Sequence, residues 1–149
     1  MSAEENKAIV LRWFGAQSSA IYDLATLDEL TAPGFVYHNP GMPEVRTHEE
    51  RKQKIIIEFT AAFPDIKYDL KDVIAEEDKV ALRYSLSGTH KGEYRGIAPT
   101  NKRFELTSLC MLRLADGKVA EMWVENNSLV MLLQLGVVPL PAGYFHVKG

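Results

Sequence analysis

A single cysteine in 149 residues, Cys110, excludes an internal disulfide and leaves no second thiol for a zinc site. The four histidines form no His-x-His or His-x-x-x-His pair, so the sequence offers no metal-ligand spacing. Gly-x-Ser-x-Gly is also missing, and the glycines around Glu93-Tyr94-Arg95 lack the spacing of a phosphate loop. No apolar run approaches the length needed to cross a bilayer. The start, MSAEENKAIV, is acidic and lacks the basic start and apolar run of a secretion signal, which predicts a cytoplasmic chain with no membrane partner. On that reading, the acceptor pattern at Asn126-Asn127-Ser128 is a chance match. Charge of neither sign dominates: 17 Lys and Arg stand interspersed with 20 Asp and Glu, a net charge of -3 that argues against a nucleic-acid surface.

What is present is enough for one domain over residues 1–149. A chain of this length and 46% hydrophobic content buries roughly 68–70% of its unfolded surface, which leaves room for an enclosed cavity. Ala8, Ile9, Leu11, Trp13 and Phe14 recur at helical spacing between Glu4 and Gln17, and Leu24, Leu27 and Leu30 suggest a second helix before Pro33-Gly34. Phe35 to Asn39 reads as a short strand ended by Pro40-Gly41. Thr47-His48-Glu49-Glu50 is a capping box for a third helix carrying Ile55, Ile56, Phe59 and Phe63, stopped by Pro64. Four strands follow, at 66–75, 80–90, 103–114 and 118–125, and then a helix at 128–134 that Asn126 or Asn127 can cap and Gly136 ends. Helices followed by antiparallel strands give an α+β order with the helices on one face of a curved sheet. The tail from Val137 is apolar enough to predict that it docks on its own domain or on a neighbouring subunit.

The order and spacing of Tyr37-His38-Asn39-Pro40, Gly88-Thr89-His90-Lys91-Gly92, Pro99-Thr100 and Gln134-Leu135-Gly136 resemble those of the SnoaL-like polyketide and ester cyclases of the NTF2-like superfamily. The resemblance implies a cone: a curved antiparallel sheet with three N-terminal helices on its concave face and a short C-terminal helix. It also implies an intramolecular aldol-type ring closure in which a cavity carboxylate moves a proton, with neither metal nor cofactor. That carboxylate position is held here by Val124, and Cys110 stands where a polar partner such as His is expected.

Limonene-type epoxide hydrolases, a related class, use Tyr and Asn with an Asp-Arg-Asp set. Tyr37, Asn39 and Arg83 match three of those positions, while Ser85 and Val124 fill the carboxylate places. By this analogy Tyr37, Asn39 and Arg83 are the catalytic candidates, as donors that polarise a carbonyl. Each has a plainer alternative: a surface ion pair for Arg83, and a satisfied strand end for Tyr37 and Asn39. The candidate ligand wall is Trp13, His38, Phe59, Phe63, Ser85, His90, Ser108, Cys110, Met122 and Val124, of which the large apolar members can equally be plain core. Glu121 and Glu125 reach inward only through a bulge, and a buried Cys110 thiol makes a poor nucleophile.

With Val124 facing inward as the resemblance implies, alternation turns Ala120 and Met122 the same way, and analogy with the family's inward positions adds Phe104, Leu106, Ser108, Cys110, Leu112, Ala81, Arg83, Ser85 and Ser87. It leaves Leu82, Tyr84, Leu86, Leu109, Met111, Val119 and Trp123 outside, an apolar face that predicts a homodimer. The function expected from these features is cyclase- or isomerase-type action on a small apolar carbonyl compound. A non-catalytic ligand-binding dimer is the alternative, and an epoxide hydrolase a weaker one.

Overall fold

The protein is described from a computed structural model covering residues 1–19, 21–139 and Gly143, so the expected docking of the tail falls mainly outside the described residues. Helix α1 (Ala3–Gly15) starts where the Ser2 hydroxyl accepts the Glu5 amide N–H at 3.1 Å. Its buried stripe is Val10, Trp13, Phe14 and, one turn on, Gln17, while Ala8 and Leu11 face solvent. Asp23 caps α2 (Leu24–Leu30) through the Thr26 amide. Strand β1 (Thr31–His38) begins before Pro33-Gly34, and its register slips between Thr31 and Val36, which lets an edge strand tolerate proline.

Thr47 caps the next helix as its sequence predicts, accepting the Glu50 amide at 3.0 Å. That helix changes pitch along its length: α3 (His48–Arg51) passes into a π-helical stretch (Lys52–Ile57) and then α4 (Glu58–Ala62). Widened turns of this kind occur often beside functional sites.

Strands β2 (Lys67–Glu76), β3 (Lys79–Thr89), β4 (Arg103–Ala115) and β5 (Lys118–Asn126) are antiparallel neighbours, and β1 joins parallel to β5, giving the order β1-β5-β4-β3-β2. Helix α5 (Ser128–Gln134) ends at Gly136, whose φ of 77° suits a residue without Cβ. Neither Asn126 nor Asn127 caps it with a side chain; Asn126 is engaged by Ser108 instead.

The facing of β3 corrects the expectation drawn by analogy. Leu82, Tyr84 and Leu86 are buried on the concave side, because the register sets them opposite Cys110, Ser108 and Leu106. Ala81, Arg83, Ser85 and Ser87 therefore face outward. A register shift between Arg113 and Leu114 makes a second correction: Val119 pairs with Leu114 and is buried, and Ala120 loses the inward place that strict alternation gives it. The inward positions of β4, together with Met122 and Val124, are buried as alternation predicts. Among the described residues no helix is long and apolar enough to cross a membrane.

Candidate functional site

Between α1, the 48–62 helix, the concave sheet and the loop at 93–96 lies a cavity of about 450 Å³. Its sheet wall includes Tyr37, Tyr84, Cys110, Met122 and Val124, and its helical wall includes Trp13, Arg51, Ile55 and Phe59. Arg51, Ile55 and Phe59 are spaced i, i+4, i+8, so one stripe of the helix faces the cavity and Arg51 rides on it. The sequence carried that signal: a basic residue on an apolar stripe. Arg83, the arginine that the Asp-Arg-Asp analogy implies, lies on the opposite face of the sheet.

Arg51 is 3% exposed and makes no ion pair among the described residues. One of its terminal nitrogens donates to the Gln17 side-chain carbonyl, while Nε and Nη1 are buried without partners. The guanidinium carbon sits 4.7 Å from the Trp13 ring centroid and 5.5 Å from that of Phe35. Trp13 is itself fixed by donating its indole N–H to Thr31 Oγ1 at 2.9 Å. Burial pulls the Arg51 pKa down, opposed by surrounding tyrosines led by Tyr37 and Tyr68.

Asn39 donates its amide N–H to the Tyr37 phenol oxygen at 3.1 Å, which leaves the phenol O–H free to donate to something else. Burial pushes Tyr37, Tyr68 and Tyr84 above the ordinary phenol value, so all three stay neutral donors. Val124, 2% exposed, supplies no acid. The carboxylates on the cavity border are Glu58 and Glu93, both exposed at its mouth.

Burial pushes the Cys110 thiol up to about 12. The folded chain therefore keeps a proton that the unfolded chain releases above about pH 9, and this contribution to stability is lost as pH rises from there toward 12. Between pH 8 and 10 the expected loss from this thiol is about 1 kcal/mol, read by urea denaturation as the difference between the unaltered protein and Cys110→Ala, because the buried tyrosines lose stability over the same range in both. A thiol reagent at pH 8 should label Cys110 only after unfolding; rapid labelling of the native protein contradicts the burial argument.

Trp13, Tyr37, Asn39, Phe59, Cys110, Met122 and Val124 line the cavity, and the other sequence candidates do not. Arg83 lies on the outer face, its guanidinium 2.6 Å from Asp72 with both side chains more than half exposed. Ser85 shares that face, opposite Thr107. His38 also points outward, its ring nitrogens 2.8 Å from Glu44 and 2.7 Å from Glu121, and it stacks on Trp123. Glu121 is thereby occupied: the His38 hydrogen bond, helped by Arg113, holds its carboxyl below the usual value. Glu125 is exposed on the outer side. Ser108 is buried against the Glu125 carbonyl and the Asn126 side chain.

Phe63 and His90 sit behind the wall. His90 Nδ1 accepts the Thr100 amide N–H at 3.2 Å, which assigns its proton to Nε2, buried without a partner. The Gly88-to-Gly92 motif thus anchors the base of the mouth loop. Thr89 donates its amide and hydroxyl to Asp65 at 2.7 Å each, Lys91 and Gly92 donate amides to the Ala62 carbonyl, and the chain then turns into Tyr94 and Arg95 at the cavity.

A curved sheet closed by helices around an aromatic cavity, with a few donors aimed inward, defines a small cone-shaped domain of the NTF2-like type. The chain belongs to the SnoaL-like polyketide cyclase family, whose profile matches residues 10–135. AclR from Streptomyces galilaeus, assigned as a hydroxylase, is 34% identical with a TM-score of 0.79, over 95% of this chain and 87% of that one. IdmH from Streptomyces antibioticus, assigned as a polyketide cyclase, is 33% identical with a TM-score of 0.70, over 88% and 98%. A SnoaL-like protein from Jannaschia sp. CCS1, at 23% identity, shares the fold with a TM-score of 0.83 over 92% and 95%. No curated protein sequence matches the chain.

Proposed function

We propose that this protein binds a small, largely apolar carbonyl compound in the cone and acts on it in the manner of a cyclase or isomerase, with the carbonyl oxygen polarised by Tyr37. The observation that carries this reading is the Asn39-to-Tyr37 hydrogen bond beside the cavity. It orients a neutral phenol whose O–H is free for a ligand oxygen. Such a donor strengthens as negative charge grows on the carbonyl oxygen during proton loss from the adjacent carbon. With Val124 in the acid position, that proton leaves toward Glu58 or Glu93 at the mouth.

Native mass spectrometry of the purified protein should reveal a retained compound. Tyr37→Phe is expected to lower its turnover by about 10²-fold with little change in binding. Unchanged turnover removes Tyr37 from the chemistry. Binding with no turnover in the unaltered protein supports the second reading, a ligand-binding domain, which the apolar residue at position 124 favours.

The outer face supports self-association. Ile74, Leu109, Met111 and Trp123 are exposed there at 70, 56, 44 and 36%. A homodimer through this face predicts a dimer mass in sedimentation at micromolar concentration, shifted to monomer by Leu109→Glu. A sole 17 kDa species in the unaltered protein excludes it.

A further inference from the structure

The proposed function leaves one group in the cavity without a task. Arg51 carries a full charge, is 3% exposed, and faces a cavity whose nearest polar side chains are neutral phenols, an amide and a thiol. Burying a cation without an anion is costly, and such groups are retained where something compensates them. Within the described chain the compensation is one hydrogen bond to Gln17 and the ring faces of Trp13 and Phe35. The acids at the mouth do not supply it, since neither Glu58 nor Glu93 pairs with Arg51.

The geometry points to Arg51 as the anchor for a carboxylate on the ligand, so that the cavity takes an aromatic or polycyclic carboxylic acid rather than a purely neutral ketone. A guanidinium has two edges that match a carboxylate, Nε with Nη2 and Nη1 with Nη2. Gln17 engages a single nitrogen, Nη2, and uses one of its two hydrogens. Whichever hydrogen that is, the other edge stays complete, since Nε and Nη1 are both free. The fork is also held in place before any ligand arrives: Thr31 fixes Trp13, Trp13 lies against the guanidinium, and Gln17 holds its end. Carboxylate binding then neutralises the buried charge, while Phe59, Met122 and Val124 cover the apolar body of the ligand. Tyr37 remains available for a second oxygen.

This inference rests on the cavity being the ligand site, and calorimetry with three probes separates the two claims. The probes are 2-naphthoate, its methyl ester, and the neutral ketone 2-acetonaphthone, all small enough for the cavity. The expected result is saturable binding of 2-naphthoate at least ~10-fold tighter than of the ester, the size of a charge-assisted pair. In Arg51→Met the acid should lose that preference while the ketone still binds, and Arg51→Lys, which keeps the charge but not the fork, should fall between. Equal binding of acid and ester by the unaltered protein overturns the anchor and leaves the carbonyl-binding site standing. An acid preference that persists in Arg51→Met also overturns it, placing the anion at the mouth near Lys54 or Arg95. Binding of none of the three overturns both readings. Should Arg51→Met fail to fold, Lys54→Met and Arg95→Met decide: an acid preference kept in both supports the anchor, and its loss in either overturns it.

Discussion

Phe63→Ala is expected to lower the unfolding free energy by about 3–5 kcal/mol, the range for truncating a fully buried aromatic ring. Phe63 is 0% exposed and occupies the centre of a cluster in which its ring centroid lies 4.9 Å from Phe59, 5.2 Å from Tyr94, 5.5 Å from His90 and 4.9 Å from Phe104. These rings come from the end of the 48–62 helix, the mouth loop, the residue that follows β3 and strand β4. Removing Phe63 therefore unties elements distant in sequence and leaves a void that the surrounding backbone cannot close. For a protein of this size the loss corresponds to roughly 6–20 °C in melting temperature. Phe59→Ala should cost less, because Phe59 is only partly buried and already borders an open cavity. Equal losses in the two variants, measured by urea denaturation, would contradict the separation of core from cavity wall.

The second large effect is expected at Gly92. A Cβ added there meets the Ala61 carbonyl oxygen at 2.4 Å, a contact with backbone rather than with a side chain able to turn away. Gly92→Ala must push the loop from the helix end and weaken the amide bonds of Lys91 and Gly92 to the Ala62 carbonyl, at 3.0 and 3.1 Å. Overpacking with loss of two partly buried hydrogen bonds predicts about 2–4 kcal/mol of destabilisation. The same displacement moves Tyr94 and Arg95, so ligand affinity should fall together with stability. Gly34→Ala is the matched control: nothing lies within 4 Å of its added Cβ and its backbone needs no special conformation. A change under 1 kcal/mol at Gly92 refutes the close-approach argument.

These two positions show how the sequence was readable and where it was not. Thr47 and Glu50 announced their helix, and the strands expected at 66–75 and 80–90 and at 103–114 and 118–125 are joined by tight turns with φ of 53° at Glu77, 52° at Asp116 and 76° at Gly117. Gly92 was visible as part of a motif, but its reason, a carbonyl from a helix thirty residues earlier, belongs to packing. Arg83 and Arg51 make the same contrast. Along β3 the apolar residues Val80, Leu82, Tyr84 and Leu86 alternate with Ala81, Arg83, Ser85 and Ser87, so period-2 patterning alone places Arg83 outside. The analogy with the epoxide hydrolases implies an inward Arg83, against that local pattern. Arg51 could be found on the helical stripe it shares with Ile55 and Phe59, yet nothing local shows that no acid faces it.

By itself the sequence determined the order of elements, most of their limits and the family, because caps, turns, alternation and motif spacing are short-range properties of neighbouring residues. Only the tertiary structure decided which face of β3 looks inward, that His38 and Arg83 are held by outer-face carboxylates, and that Arg51 enters the cavity with no carboxylate paired to it among the described residues. Those outcomes depend on strand register, on bulges that change the parity of a strand, and on which distant side chains fail to meet.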